Sequence, residues 1–287
     1  MSTETAFQAG TAPIRLGHSP DSDDAFMFYG LAAHQVDTEG LQFEHILQDI
    51  QTLNDWAREG RLECTAISVH AYAYVHDKYA ILTHGASMGD GYGPMVVAPD
   101  PMTPKDLPGM KIAVPGRLTS AFLALALYLE RAFDFVVVPF DQIMPAVSAG
   151  EADAGLIIHE GQLTHMSHGL YNIVDLGKWW KEETGLPLPL GVNAIRKDLP
   201  PDVQARVSRA LRASIAYGLE HRQEGLEHAL QFAREMDTQT ADTFVGMYVN
   251  DWTLDMGEAG KRSIQLFLSR GVERGLIPPM QQVEFVE

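Results

Sequence analysis

Residues 56–68 read WAREGRLECTAIS, and residues 146–158 read AVSAGEADAGLII. Aligned on Gly60 and Gly150, each stretch is a helix end, a glycine, an acid (Glu63 or Asp153) and a short apolar run. Glycine is the usual left-handed stop of a helix, so both stretches read as helix, turn, buried strand. Any two βα units share that rhythm. Here, however, Ser68 and Ile158 fall at the same register, with His159 one residue further. The repeat predicts two similar α/β lobes whose strand ends face each other across a cleft, the place where open α/β sheets bind ligands.

The flanking sequence extends the same rhythm. Residues 14–17 predict a strand entering the loop HSPDSDD at 18–24, and residues 25–31 predict a buried helix. Leu41, Phe43, His45 and Leu47 alternate as in a strand, and Asp49 is placed to cap a helix carrying Ile50, Leu53, Trp56 and Ala57 on one face. Residues 64–69 predict a strand and 71–77 a helix. After the glycine-rich loop GDGYGP at 89–94, the series restarts. Strands are expected at 111–114, 135–139, 154–158, 173–176 and 191–195, with helices at 119–131 and 141–149. This βαβα order predicts mainly parallel sheets covered by helices. Beyond residue 200 the chain turns helical. Val203, Val207, Leu211, Ile215 and Leu219 recur every four residues, and shorter patterns follow at Leu226, Leu230 and Ala233, at Phe244, Val245 and Tyr248, and at Ile264, Phe267 and Leu268. No linker sets this tail apart, so it is expected to pack on the first lobe. The division expected is 13–97 with 194–287 for the first lobe and 98–193 for the second.

Composition narrows the function. The 287 residues include 21 basic and 38 acidic side chains, a net charge of −17 that disfavours nucleic acid and anionic membrane surfaces alike. The single cysteine, Cys64, excludes a disulfide framework. No stretch approaches the roughly 20 apolar residues of a membrane span. The first twelve residues, MSTETAFQAGTA, hold no basic residue and no apolar run, so a cytoplasmic location is expected.

Of the eleven histidines, His159 is set apart. It follows a strand of small and apolar residues and precedes a helix, which places an imidazole at a strand's carboxyl end; a structural histidine is the other reading. His165 and His168 have a helical spacing suited to a metal but no matching carboxylate or cysteine. Three loops can meet His159. Ser19, Asp21, Ser22, Asp23 and Asp24 open a helix, where they can bind a polar ligand or a divalent cation, or simply cap. Thr119 and Ser120 open another helix and can hold a carboxylate, with Thr119 as an ordinary N-cap in the alternative reading. The segment GLPLPLG at 185–191, with Leu190 and Gly191, is stiffened by proline and can serve as hinge, ligand wall or both. Loops for ATP, dinucleotides, zinc-dependent proteolysis and serine hydrolysis do not occur.

AGLIIHE (154–160), GLPLPLG (185–191), LNDWAREGRL (53–62), KIAVPGRLTSA (111–121) and GDGYGPMVVA (89–98) together resemble the 1,4-dihydroxy-6-naphthoate synthase family of the futalosine route to menaquinone, over residues 14–278. The resemblance implies a two-lobed, type II periplasmic-binding-protein-like fold. It implies a carbon–carbon lyase that splits the sugar remnant from cyclic dehypoxanthinyl futalosine, a small anionic carboxylate. It also implies His159 as proton acceptor, substrate contacts at Ala66, Ile67 and Ser68 and at Thr119 and Ser120, and no metal or organic cofactor. The cleft reading adds Ser19, Asp24, Leu190 and Gly191 to the substrate contacts. Neither reading fixes the oligomeric state, and a homodimer is compatible with both. Family members carry SPCPND where this chain has SPDSDD at 19–24, which puts extra acid beside an anionic substrate. A chorismate dehydratase of the same pathway and a non-catalytic solute-binding protein of an importer are the competing readings.

Overall fold

Both halves of the repeat fold alike in the computed structural model, which describes residues 12–232 and 237–287. In the first, Asp49 caps the helix Ile50–Glu59 by accepting the Gln51 and Thr52 N–H groups at 3.0 and 3.1 Å, and Gly60 ends it with φ of 69°. In the second, the helix Ile143–Ser148 ends just before Gly150, at φ of 74°. The left-handed turn costs a glycine little and an L-residue about 1 kcal/mol or more, which is why glycine marks both places.

The chain builds one sheet, crosses to a second and returns. The first part supplies β1 (Ile14–His18), β2 (Phe43–Leu47), β3 (Cys64–Ser68), β4 (Tyr79–Leu82) and β5 (Ser87–Gly89). The second sheet is β6 (Met95–Ala98), β7 (Lys111–Val114), β8 (Asp134–Val137), β9 (Ala154–Ile157) and β10 (Tyr171–Asp175). The chain then returns through β11 (Leu188–Arg196) and ends in β12 (Phe285–Val286). The first sheet runs β12-β4-β11-β3-β1-β2, with β5 beside β11; the second runs β10-β6-β9-β7-β8. The sequence β11-β3-β1-β2 in one sheet matches β6-β9-β7-β8 in the other. In each, three parallel strands carry one antiparallel neighbour.

The repeated acid has the same work in both sheets. Glu63 accepts the Arg15 N–H at 3.1 Å and its guanidinium at 2.7 and 2.8 Å, fastening β1. Asp153 accepts the Lys111 N–H at 2.8 Å, fastening the first residue of β7. A strand-end N–H that lacks a ladder partner gains one from a side chain.

Several sequence expectations need correction. The helix expected at 71–77 is one turn, Val69–Tyr72, followed by turns into β4. The run from Val69 to Leu82 is buried on nearly every side, so its apolar pattern has no helical period to read. β4, β5, β6 and the helix Leu176–Thr184 were not expected at all. The helix expected at 25–31 is two, Ser22–Met27 and Tyr29–Ala32, and β11 starts three residues before the strand expected at 191. In the tail, Val203, Val207, Leu211 and Ile215 bury against Ile14, Leu16, Cys64 and Ile195 of the first sheet. The helix Gly257–Glu273 reaches further: Phe267 meets Trp180 at 5.4 Å between ring centres, and Ser263 accepts the Trp180 indole N–H at 3.2 Å. Ala233 and residues 1–11 lie outside the described residues. No helix among the described residues is long and apolar enough to cross a membrane.

Candidate active site

A cavity of about 770 Å³, counting its open mouth, lies between the sheets at the carboxyl ends of β1, β3 and β9. Of the residues expected at the site, Ser19, Asp24, Ala66, Ser68, Thr119, Ser120, His159, Leu190 and Gly191 line it. Ile67 does not. Alternate residues of a strand point to opposite faces, so between Ala66 and Ser68 its side chain goes into the core and is fully buried there. Among the described residues the wall includes Asp21, Asp23 and Asp24 but no lysine or arginine.

Most of the wall's hydroxyls are already engaged. Thr119 Oγ donates to the Gly116 carbonyl at 2.9 Å and accepts the Phe122 N–H at 3.2 Å, the N-cap of the helix Ser120–Leu129. Ser120 Oγ donates to the Leu190 carbonyl at 2.5 Å and accepts the His70 N–H at 3.2 Å. Neither hydroxyl has a proton to spare for a carboxylate. The donors at this end of the helix are the Ser120 and Ala121 N–H groups, which the helix itself leaves unpaired. Ser68 differs: its Oγ accepts from Asn54 Nδ2 at 3.0 Å and its N–H donates to Asn54 Oδ1 at 2.8 Å, leaving the hydroxyl proton for a ligand. The segment GLPLPLG is wall rather than free crossing. Leu190 and Gly191 lie in β11, and the Pro187 carbonyl accepts from Ser263 Oγ at 2.6 Å.

His159 turns the chain sharply between β9 and the short helix Gly161–Thr164, with φ of 58°. A left-handed non-glycine residue costs about 1–3 kcal/mol, and such strain concentrates at functional positions. The Phe140 ring lies 4.5 Å from its own. Asp21 Oδ2 stands 3.3 Å from Nδ1 and also accepts from Ser19 Oγ. On the other side of the ring Nε2 is buried and, among the described residues, has no hydrogen-bond partner. Asp24 accepts the Ser19 N–H at 2.6 Å. Burial, with Asp24 and Asp21 alongside, pushes the Asp23 carboxyl well above its ordinary range, and burial does the same to Asp24. Both are thereby eased toward the neutral form, which lessens repulsion of an anion.

Several lining residues escaped sequence reasoning, most of them because they come from distant elements. Asn193 stands on β11, Gln162 follows His159, and Phe244 and Tyr248 come from the helix Thr238–Tyr248. Tyr248 donates to Gln162 Oε1 at 2.6 Å, so the tail closes on the second sheet's side of the cavity. Buried ring nitrogens without a partner among the described residues also occur at His70 and His76, but of the three only His159 lines the cavity. Other histidines have structural partners. His84 lies 2.6 Å from Ser208 Oγ, His18 lies 2.9 Å from His45, and His165 lies 3.1 Å from the Gln162 carbonyl. Among the described residues no three His, Cys, Asp or Glu side chains are arranged to hold a metal ion.

Known proteins resemble this chain over most of its length. The model of a family described as menaquinone biosynthesis matches residues 14–273. A 1,4-dihydroxy-6-naphthoate synthase of Thermus thermophilus is 43% identical over 95% of this chain and 99% of its own. One from Streptomyces coelicolor is 34% identical over 93% and 95%. A crystal structure of a protein from Archaeoglobus fulgidus matches with a TM-score of 0.89 at 49% identity, covering 92% of this chain and 98% of that one. The alkanesulfonate-binding protein of Xanthomonas axonopodis matches at 0.71 with 13% identity, covering 96% and 98%; it establishes the two-lobed periplasmic-binding-protein-like fold alone.

Proposed function

The chain belongs to the menaquinone-biosynthesis family, and from that premise we infer that it performs the 1,4-dihydroxy-6-naphthoate synthase reaction with His159 as its general base. The observation that carries the role of His159 is its Nε2, buried in the cavity wall with no partner among the described residues. A basic nitrogen held dry and unpaired at a ligand cavity is a cost unless a ligand supplies the proton.

The substrate expected is cyclic dehypoxanthinyl futalosine, bound with its carboxylate at the Ser120 and Ala121 N–H groups. Nε2 takes the proton beside the activating carbonyl, and the electron pair of that C–H bond enters the ring as it becomes aromatic. The developing oxyanion meets the Ser68 hydroxyl, fixed in place by Asn54. The sugar remnant leaves with the electron pair of the broken bond and takes back the proton from the imidazolium, so His159 ends the turnover neutral. Closure of the two sheets on the substrate excludes water and sets the approach. A cytoplasmic location accords with this biosynthetic role.

The experiment is direct. Purified protein is expected to convert cyclic dehypoxanthinyl futalosine to the dihydroxynaphthoate, detected by its absorbance and mass, and His159→Asn to lose that activity while unfolding like the parent. Full activity in a folded His159→Asn protein would overturn the role of His159. Tight binding of the substrate without turnover would overturn the enzyme reading.

A further inference from the structure

We propose that Asp21 is the positioning residue of His159, reaching across the cleft from the loop after β1 to hold the Nδ1 side of a ring that belongs to the second sheet. The proposal rests on His159 acting as the base. Four observations carry it. Asp21 Oδ2 lies 3.3 Å from Nδ1, and the carboxylate is only 3% exposed, which leaves it few partners other than those the fold supplies. The same oxygen accepts from Ser19 Oγ, which fixes the carboxylate's direction. Although Asp21 sits at the N-cap of the helix Ser22–Met27, its side chain makes no capping bond there, so the ordinary reason for an aspartate at that place is absent. The opposite ring nitrogen, Nε2, is the unpaired one.

Two ring nitrogens compete for one proton in a neutral imidazole. A carboxylate beside Nδ1 draws the proton there and leaves Nε2 as the acceptor that faces the cavity. When Nε2 takes the substrate proton, the same carboxylate stabilises the imidazolium. The separation of 3.3 Å is long for a hydrogen bond, as is common before substrate draws such a pair together. Asp23 acts on His159 through charge as well and Glu160 follows it in the chain, but neither touches the ring nitrogens in the structure.

The test compares Asp21→Asn, Asp21→Glu and His159→Asn in the full chain. Asp21→Asn keeps an oxygen for Ser19 but removes the charge. It is expected to lower kcat about 10²-fold or more with KM changed less than about threefold, and to alter the acidic limb of the kcat/KM profile. Asp21→Glu is expected to recover part of kcat. Nitrogen-15 NMR of the labelled imidazole should show Nδ1–H in the parent and a tautomer mixture in Asp21→Asn. The double variant should be no slower than His159→Asn alone. An Asp21→Asn protein with parental kcat, pH profile and tautomer would overturn the proposal while His159→Asn remained inactive. An active His159→Asn would instead overturn the base reading on which it rests.

Discussion

Asn54 offers a test of how the first sheet holds its side of the cavity. It is fully buried on the helix Ile50–Glu59, and both its polar atoms are spent on Ser68, at 2.8 and 3.0 Å. Asn54→Ala leaves the Ser68 N–H buried with no acceptor, which costs about 1–3 kcal/mol. The small void adds to it, so a loss near 3 kcal/mol is expected, about 6–12 °C in Tm for a chain of this size. The Ser68 hydroxyl then loses the donor that fixes its rotamer, and kcat/KM should fall about 10–100-fold. Urea unfolding followed by tryptophan fluorescence gives the first quantity and steady-state turnover the second. Asp55→Ala, on the exposed face of the same helix, serves as control and should stay within about 0.5 kcal/mol of the parent. An Asn54→Ala protein as stable as this control would refute the bonding described. A destabilised one with parental kcat/KM would refute the role of Ser68 at the oxyanion.

Burial lowers the pKa of His18 to about 3, of His70 to about 4 and of His84 to about 4, with His45 adding to the first and Arg212 to the last. Each folded value lies below the ordinary 6.5, so the unfolded chain binds protons that the folded chain refuses. Their contribution is whole above about pH 6.5 and drains away as pH falls toward the folded values, by up to about 1.4 kcal/mol per unit for each. Asp23 and Asp24, being raised, act in the opposite sense, so the comparison is between the parent and His84→Gln: the urea midpoint of the variant should fall less steeply between pH 7 and pH 5, and parallel curves would refute the reading. Gly85→Ala should be costly for a different reason. At φ of 81° its new methyl would sit 1.9 Å from Asn193 Nδ2 in the cavity wall. A loss of about 2–4 kcal/mol with a raised KM is expected from unfolding and kinetics, and a neutral result in both would show that Asn193 is not fixed there.

The repeat at Gly60 and Gly150 was legible because each feature is local. A helix stop, an acid and a strand succeed one another within a dozen residues, and the structure gives both acids the same partner, the start of a neighbouring strand. His159 at the end of β9 was legible for the same reason. β4, β5 and β6 were not, because short strands buried on both faces carry no alternation. The state of the hydroxyls was also hidden. Thr119 and Ser120 read as groups able to hold a carboxylate, with an N-cap as the alternative for Thr119; the structure makes Thr119 the N-cap, and both protons go to carbonyls, of Gly116 and of Leu190, the second of which is 70 residues away. Ile67 shows the opposite case, since alternation within β3 was enough to turn it away from the cavity. The pairing of Asp21 with His159 joins loops of different sheets, and no local pattern announces it.

Among the described residues the cavity wall offers amide dipoles, hydroxyls and acids whose pKa burial raises, and no lysine or arginine. In the reaction proposed above, the carboxylate of the substrate passes unchanged into the aromatic product. A guanidinium clamp would therefore hold reactant and product equally, and grip of that uniform kind lowers KM without raising kcat. It would also slow the departure of a flat aromatic product from a site walled by Phe244, Tyr248 and Leu190. A modest hold on the group that does not react leaves discrimination to the atoms that do, and keeps the site clear for the next turnover.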